Sequence, residues 1–166
     1  MALYDSLTGL NNRRSLERRL PAMIETARQR RAPLTMMVLD IDHFKRVNDT
    51  YGHDVGDRVL KGFAAQLQEI VRGGDLLCRL GGEEFVVVMP EVDMNQAARI
   101  AERARRITES REFMVDGAAG SVSVTVSIGL AEWRENGDAA ELYRRADRAL
   151  YLSKAAGRNR VTQDAA

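Results

Sequence analysis

The chain has one cysteine, Cys78, so no disulfide can form within it, which suits a reducing compartment. Set among apolar residues, that thiol reads as a buried structural group. No apolar run approaches the ~20 residues needed to cross a bilayer, and "MALYDSLTGL" lacks the basic and apolar regions of a secretion signal. We therefore expect a cytoplasmic domain that makes no membrane contact itself. Charge of one sign is also missing. A net charge of +1 excludes the strongly basic footprint of a nucleic-acid binder, so no nucleic-acid partner is expected and any anion site must be local. Histidine is scarce, and neither His43 nor His53 has a second soft ligand at metal-binding spacing; both read as polar structural residues. There are no repeats or low-complexity segments.

What is present is ordinary for a soluble globular protein: 166 residues, 45% hydrophobic and 30% charged. That length fits a single domain over residues 1–166, with enough chain to bury a core without staples. "NNRRSLERRLPAMIETARQRR" spaces Leu16, Leu20, Met23, Ile24 and Ala27 as one helix face, with Asn11 or Asn12 as cap. Pro33 interrupts, and "LTMMVLDID" reads as a buried central strand whose end delivers Asp40 and Asp42. A short helix, a turn around Gly52 and a longer helix over residues 54–72 follow. "DLLCRL", Gly81, Gly82 and "EEFVVVMP" form a hairpin, because tight two-residue turns favour glycine. Next come an amphipathic helix in "DMNQAARIAERARRITES", a short edge strand in "REFMVDGAAG" and a half-buried strand in "SVSVTVSIGLA". A last helix is stopped by Gly157, and "RNRVTQ" closes the chain as a short strand. Met36, Met37 and Met89 are core filler, and Trp133 marks a loop or strand end. The pattern predicts an α+β fold: a mixed, mainly antiparallel central sheet covered by helices, ferredoxin-like in character.

The adjacent acids of "RLGGEEF" are poorly explained by strand propensity. If the strands ending at Asp40 and starting near Glu83 are neighbours, their carboxylates converge, and two close carboxylates repel unless a cation lies between them. Oxygen donors of this kind suit Mg²⁺ or Mn²⁺, which complete their shells with substrate phosphates; the other reading is a pair of strand-end acids in water. Lys154 and Arg158, at the end of the last helix, could neutralise phosphate oxygens or be a solvated helix end favoured by the dipole.

Five ordered stretches together resemble a GGDEF domain, the catalytic domain of bacterial diguanylate cyclases. They are "DSLTGLNNRR" (5–14), "DIDHFKRVNDTYGHDVGD" (40–57), "GGEEF" (81–85), "VSIGLA" (126–131) and "ADRALYLSKAAGRNR" (146–160). The resemblance implies a nucleotide-cyclase-like core that condenses two GTP into cyclic di-GMP and releases two pyrophosphates. It implies metal ligation by Asp40, Glu83 and the Ile41 carbonyl, and guanine recognition by Asn48 and Asp57. Phosphate contacts would come from Phe44 (through its backbone), Lys45, Lys154 and Arg158, with Gly81 and Gly82 letting the hairpin lie close to the nucleotide. Glu84 would be either a further metal ligand or the group that activates the 3′-hydroxyl.

The family also implies partners. Each domain binds one GTP, so a homodimer is needed for catalysis, brought together by an N-terminal regulatory domain in the full-length protein. Activity of the chain alone should be weak and concentration-dependent. "RGGD" (72–75) resembles the family's R-x-x-D product-inhibition site, implying that Arg72 and Asp75 grip cyclic di-GMP. Arg103 resembles a secondary arginine of that site, and Arg79 is a further candidate. The competing reading is a catalytically silent module that binds GTP or cyclic di-GMP. Intact acids at Asp40, Glu83 and Glu84 argue for catalysis.

Overall fold

The computed structural model describes residues 2–115 and 120–165. Among the described residues, five strands form the main sheet, in the order β2 (Leu76–Gly81), β3 (Glu84–Pro90), β1 (Leu34–Ile41), β6 (Val126–Glu132) and β7 (Val161–Gln163). All contacts in it are antiparallel except β6 against β7. Helices cover both faces, giving the mixed, mainly antiparallel α+β architecture that the sequence pattern predicts. Among the described residues, no helix is long and apolar enough to cross a membrane.

Helix α1 (Arg13–Arg30) is capped by Asn12, whose side chain accepts from the Ser15 N–H. Asn11 instead donates its side-chain amide to the Leu77 carbonyl, tying the start of the chain to strand β2. β1 (Leu34–Ile41) is buried along its whole length, as its unbroken apolar run predicts. Its even-numbered residues Met36 and Val38 pack under α1 and α5 (Ala139–Ala155); Met37, Leu39 and Ile41 pack under α2 (Phe44–Tyr51), α3 (His53–Ile70) and α4 (Met94–Ser110). The alternating strand thus builds two cores, one on each sheet face.

Helices α2 (Phe44–Tyr51) and α3 (His53–Ile70) meet at Gly52, which has φ 91°. α3 ends two residues earlier than expected. Val71 is extended, and Arg72 to Asp75 form a turn in which the Asp75 carboxylate accepts from the Arg72 N–H at 2.8 Å. The hairpin is observed as β2 (Leu76–Gly81) and β3 (Glu84–Pro90), with an irregularity in register between Arg79 and Gly81. α4 (Met94–Ser110) starts with a capping box formed by Asp93 and Gln96.

"SVSVTVSIGLA" is not the single half-buried strand that its alternation predicts. β5 (Ser121–Ser123) pairs with β4 (Glu112–Met114) in a separate ribbon, while β6 (Val126–Glu132) is central and buried on both faces up to its last residue. The rest of the predicted edge-strand segment, 116–119, lies outside the described residues. Buried Asp42 explains the polar residues at and just before the start of β6: its carboxylate accepts from Thr125 Oγ1 at 2.7 Å and Ser127 Oγ at 2.6 Å. Alternation therefore signals a buried partner here, not solvent.

α5 (Ala139–Ala155) crosses from β6 to β7 (Val161–Gln163). It lies directly on Gly129, where an added Cβ would come within 2.2 Å of the Leu150 nitrogen and 2.3 Å of the Ala146 oxygen. Only glycine permits this approach. After the helix, Gly157 takes φ 121° and the chain turns through left-handed Arg158 and Asn159.

Candidate active site

Asp40 stands opposite Glu84 in the β1–β3 ladder. Directly opposed residues project from the same sheet face, so the strand register brings these two acids together. That face is covered by α5, which supplies a partner to each. Lys154 Nζ lies 2.7 Å from Asp40 Oδ2, and the Tyr143 hydroxyl donates to Glu84 Oε1 at 2.6 Å. Tyr143 and Lys154 are eleven residues, about three turns, apart on one helix, which puts them near the same face of it.

Burial and the neighbouring charges act on these groups in opposite senses. Burial pushes the Asp40 carboxyl up to about 6; Lys154 pulls it down, and the charges of Glu83 and Glu84 raise it further. The Tyr143 phenol is raised by burial and by Glu84, which keeps it a hydrogen-bond donor. Glu83 sits in the hairpin turn, and its carbonyl accepts from the Ile41 N–H at 3.3 Å. The expected set Asp40, Ile41, Glu83 and Glu84 is therefore gathered at one end of β1. Asp42 is not part of it. With Thr125, Ser127 and the Asn159 N–H on its carboxylate, Asp42 is a structural tie.

Among the described residues, no side chain caps the start of α2, where Phe44 and Lys45 stand. A helix N-terminus of this kind favours anions. Phe44 is buried, whereas exposed Lys45 pairs with Asp49 at 2.8 Å, an interaction that leaves its ammonium at the surface. Half-buried Asn48 lies across Gly56: a Cβ there would come 1.9 Å from Asn48 Oδ1. Asp57 follows Gly56 on the exposed side of α3. Beyond α5, Arg158 is exposed at φ 65°, anchored by its N–H to the Ser153 carbonyl. The next residue, Asn159, accepts from Arg105 at 2.9 Å, so α4 also steadies this loop.

Cation binding can be judged from the donor chemistry. The acids are all hard oxygen donors, and among the described residues no group of three or more His, Cys, Asp or Glu could hold a metal. A site with Asp40 facing Glu84 fits Mg²⁺ or Mn²⁺ arriving with nucleotide phosphates, because such ions use one or two carboxylates and substrate oxygens. It does not fit a cage that binds the metal alone.

Arg72 and Asp75 lie elsewhere, on a cavity of about 710 Å³ between α1 and the start of β2. Arg72 Nη2 donates to the Pro90 carbonyl at 3.0 Å and lies 3.6 Å from Asp75 Oδ1, beyond hydrogen-bond reach. Asp75 Oδ1 is buried and has no hydrogen-bond partner among the described residues. Such an oxygen calls for a donor. Arg18, Arg19 and Arg30 of α1 line the same cavity, arginines that the sequence pattern gave no reason to separate from solvated surface. Arg103 is not brought there within the chain: it lies on α4 beside Arg99 and Arg106. Arg79 is not there either; it holds Asp5 and the Gly82 carbonyl.

A family profile described as diguanylate cyclase, GGDEF domain, matches residues 2–160. Response regulator PleD from Caulobacter vibrioides is 45% identical over 167 residues, which takes in 100% of this chain and 37% of PleD. Diguanylate cyclase DgcP from Pseudomonas aeruginosa is 41% identical over 160 residues, covering 96% of this chain and 24% of DgcP. The chain thus spans well under half the length of these relatives. Among solved structures, the GGDEF domain of DgcB from Caulobacter crescentus, in complex with c-di-GMP, superposes with a TM-score of 0.95 at 35% identity. That match covers 100% of this chain and 95% of the DgcB chain.

Proposed function

Because the chain belongs to the GGDEF domain family of diguanylate cyclases, we propose that residues 1–166 form one catalytic domain that condenses two GTP into cyclic di-GMP with release of two pyrophosphates. The observation that carries this reading is the opposition of Asp40 and Glu84 across β1 and β3, backed by Lys154. Asp40, Glu83 and the Ile41 carbonyl would hold Mg²⁺ or Mn²⁺, with Glu84 either a further ligand or the group that activates the 3′-hydroxyl. When bound, the cation supplies charge neutralisation at the α-phosphate and polarises the attacking 3′-hydroxyl.

The protein's own groups position the substrate. Asn48 and Asp57 accept and orient guanine, and the uncapped start of α2 at Phe44 receives phosphate oxygens. Lys45, Lys154 and Arg158 balance the remaining negative charge, and Gly81 and Gly82 keep the turn clear of side chains. In each of two transfers a 3′-oxygen bonds to an α-phosphorus as the bond to pyrophosphate breaks, and the hydroxyl proton leaves to base or solvent. Preorganised charge supplies most of the catalysis in such reactions. Each domain holds one GTP, so the 3′-hydroxyl comes from the nucleotide on a second copy, and the rate per chain falls on dilution. An N-terminal regulatory domain would set the encounter of two copies.

The orphaned Asp75 oxygen beside Arg72 supports a second element of the reading, product inhibition, with cyclic di-GMP as the occupant of that cavity. Arg103 would join from another copy. The test is to incubate concentrated protein with GTP and Mg²⁺, assay cyclic di-GMP, and repeat with Glu83→Ala. Product from the unaltered chain and none from the variant is expected. No product, with tight cyclic di-GMP binding, would replace the cyclase reading by a binding module.

A further inference from the structure

One helix holds both site acids, through unlike side chains. Lys154 meets Asp40 with a charge on a flexible stem; Tyr143 meets Glu84 with a hydroxyl on a rigid ring. The Tyr143 ring packs against the apolar cluster that also contains Leu142, Ala146 and Leu150 of α5, so the oxygen is aimed by the core and not by solvent. Its 2.6 Å bond to Glu84 has the length of a charge-assisted O–H···O⁻ contact. α5 in turn is fixed on β6 by the bare backbone of Gly129.

We infer that Tyr143 is a positioning residue that fixes the Glu84 carboxylate as a metal ligand, holding Oε1 so that Oε2 is the oxygen offered to the cation shared with Asp40. The inference rests on the cyclase reading above and adds to it the role of Glu84, left open between ligand and base by the sequence. Outer partners of this kind orient ligating carboxylates, and their removal lowers metal affinity. Nothing in the residue pattern marked Tyr143, which occupies an apolar-facing helix position.

The test uses Tyr143→Phe, which keeps the ring and removes only the hydroxyl. Mn²⁺ binding is followed by electron paramagnetic resonance with 3′-deoxy-GTP, a nucleotide that lacks the attacking hydroxyl and cannot turn over. The expected result is Mn²⁺ affinity reduced roughly tenfold, within the range for lost outer partners, with thermal melting unchanged. Mn²⁺ affinity within about twofold of the unaltered chain overturns the inference and leaves the cyclase reading standing. Absence of Mn²⁺ binding by the unaltered chain with this nucleotide overturns both.

Discussion

Arg79 holds Asp5 and the Gly82 carbonyl with one guanidinium: Nη1 lies 2.9 Å and 3.1 Å from the two Asp5 oxygens, while Nε and Nη2 donate to Gly82 at 2.9 Å and 2.8 Å. The turn that presents Glu83 is thus tied to the opening segment of the chain, where Thr8 also donates to Asp5. Bidentate geometry of this sort fixes orientation as well as distance.

Arg79→Ala should therefore destabilise the domain by about 1–3 kcal/mol, because Asp5 and the Gly82 carbonyl lose charge-assisted bonds. Cyclase activity should fall more than stability alone explains, since Glu83 rides on the released turn. Urea denaturation and product assays on the same preparation check both.

Asp5 also predicts an acid-sensitive component of stability. Burial raises its carboxyl, but the bonds from Thr8 and Arg79 outweigh that and hold it below the ordinary 3.8. An acid with a depressed folded-state pKa contributes stability that is full above its unfolded value and lost as pH falls through the folded one. In Asp5→Asn, stability at neutral pH should drop and the loss of stability below about pH 4 should be shallower. Denaturant titrations at several acid pH values read this out.

Asp40 has the opposite sign. Its carboxyl is raised to about 6 in the folded chain from 3.8, so the folded state binds more proton between these values and stability declines as pH rises through that window. Replacing it with a neutral isostere removes the cost of a buried anion, partly offset by leaving Lys154 without its partner. We expect Asp40→Asn to be more stable by about 1 kcal/mol above pH 6 and inactive as a cyclase. Equal stability of the two proteins at pH 7.5 in urea would contradict this.

Gly129→Ala should be among the more damaging single-methyl additions. The new Cβ would meet the backbone of α5 at 2.2–2.8 Å, and backbone cannot move aside as a side-chain tip can. A cost of about 1–3 kcal/mol is expected for such overpacking. Lifting α5 also carries Lys154 away from Asp40, so GTP turnover should fall together with the melting temperature.

For the cavity, Arg72→Ala should weaken cyclic di-GMP binding by at least about tenfold, the order of one charge-assisted contact. Stability should change little, since the Arg72 side chain is 61% exposed. Calorimetric titration with cyclic di-GMP and the product-inhibition curve would each detect it, and unchanged values in both would remove the inhibitory role.

The order of elements could be read from the chain because strand and helix periods are local properties. So could the meeting of Asp40 with the hairpin acids, since "LTMMVLDID" and "EEFVVVMP" are both buried runs with acids at one end. What could not be read depends on partners far along the chain. The half-buried strand expected in "SVSVTVSIGLA" failed because Ser127 and Thr125 face Asp42, not water. Arg79 was open to an inhibitory role until its partner 74 positions earlier was visible. Tyr143 carries no mark at all: a phenol at an apolar helix position looks like core until Glu84 is found at its tip.

The Asp42 tie reaches 83 positions along the chain to Thr125 and 117 to Asn159. A buried carboxylate stays costly until its donors arrive. Its donors come from the segment before β6, from β6 itself and from the loop before the final strand, so the end of β1 is fully satisfied only when all three are in place. The end of β1 that carries Asp40 is thus held by contacts of long sequence separation, so damage to the Asn159 loop should be felt at the site acids as well as in the loop itself.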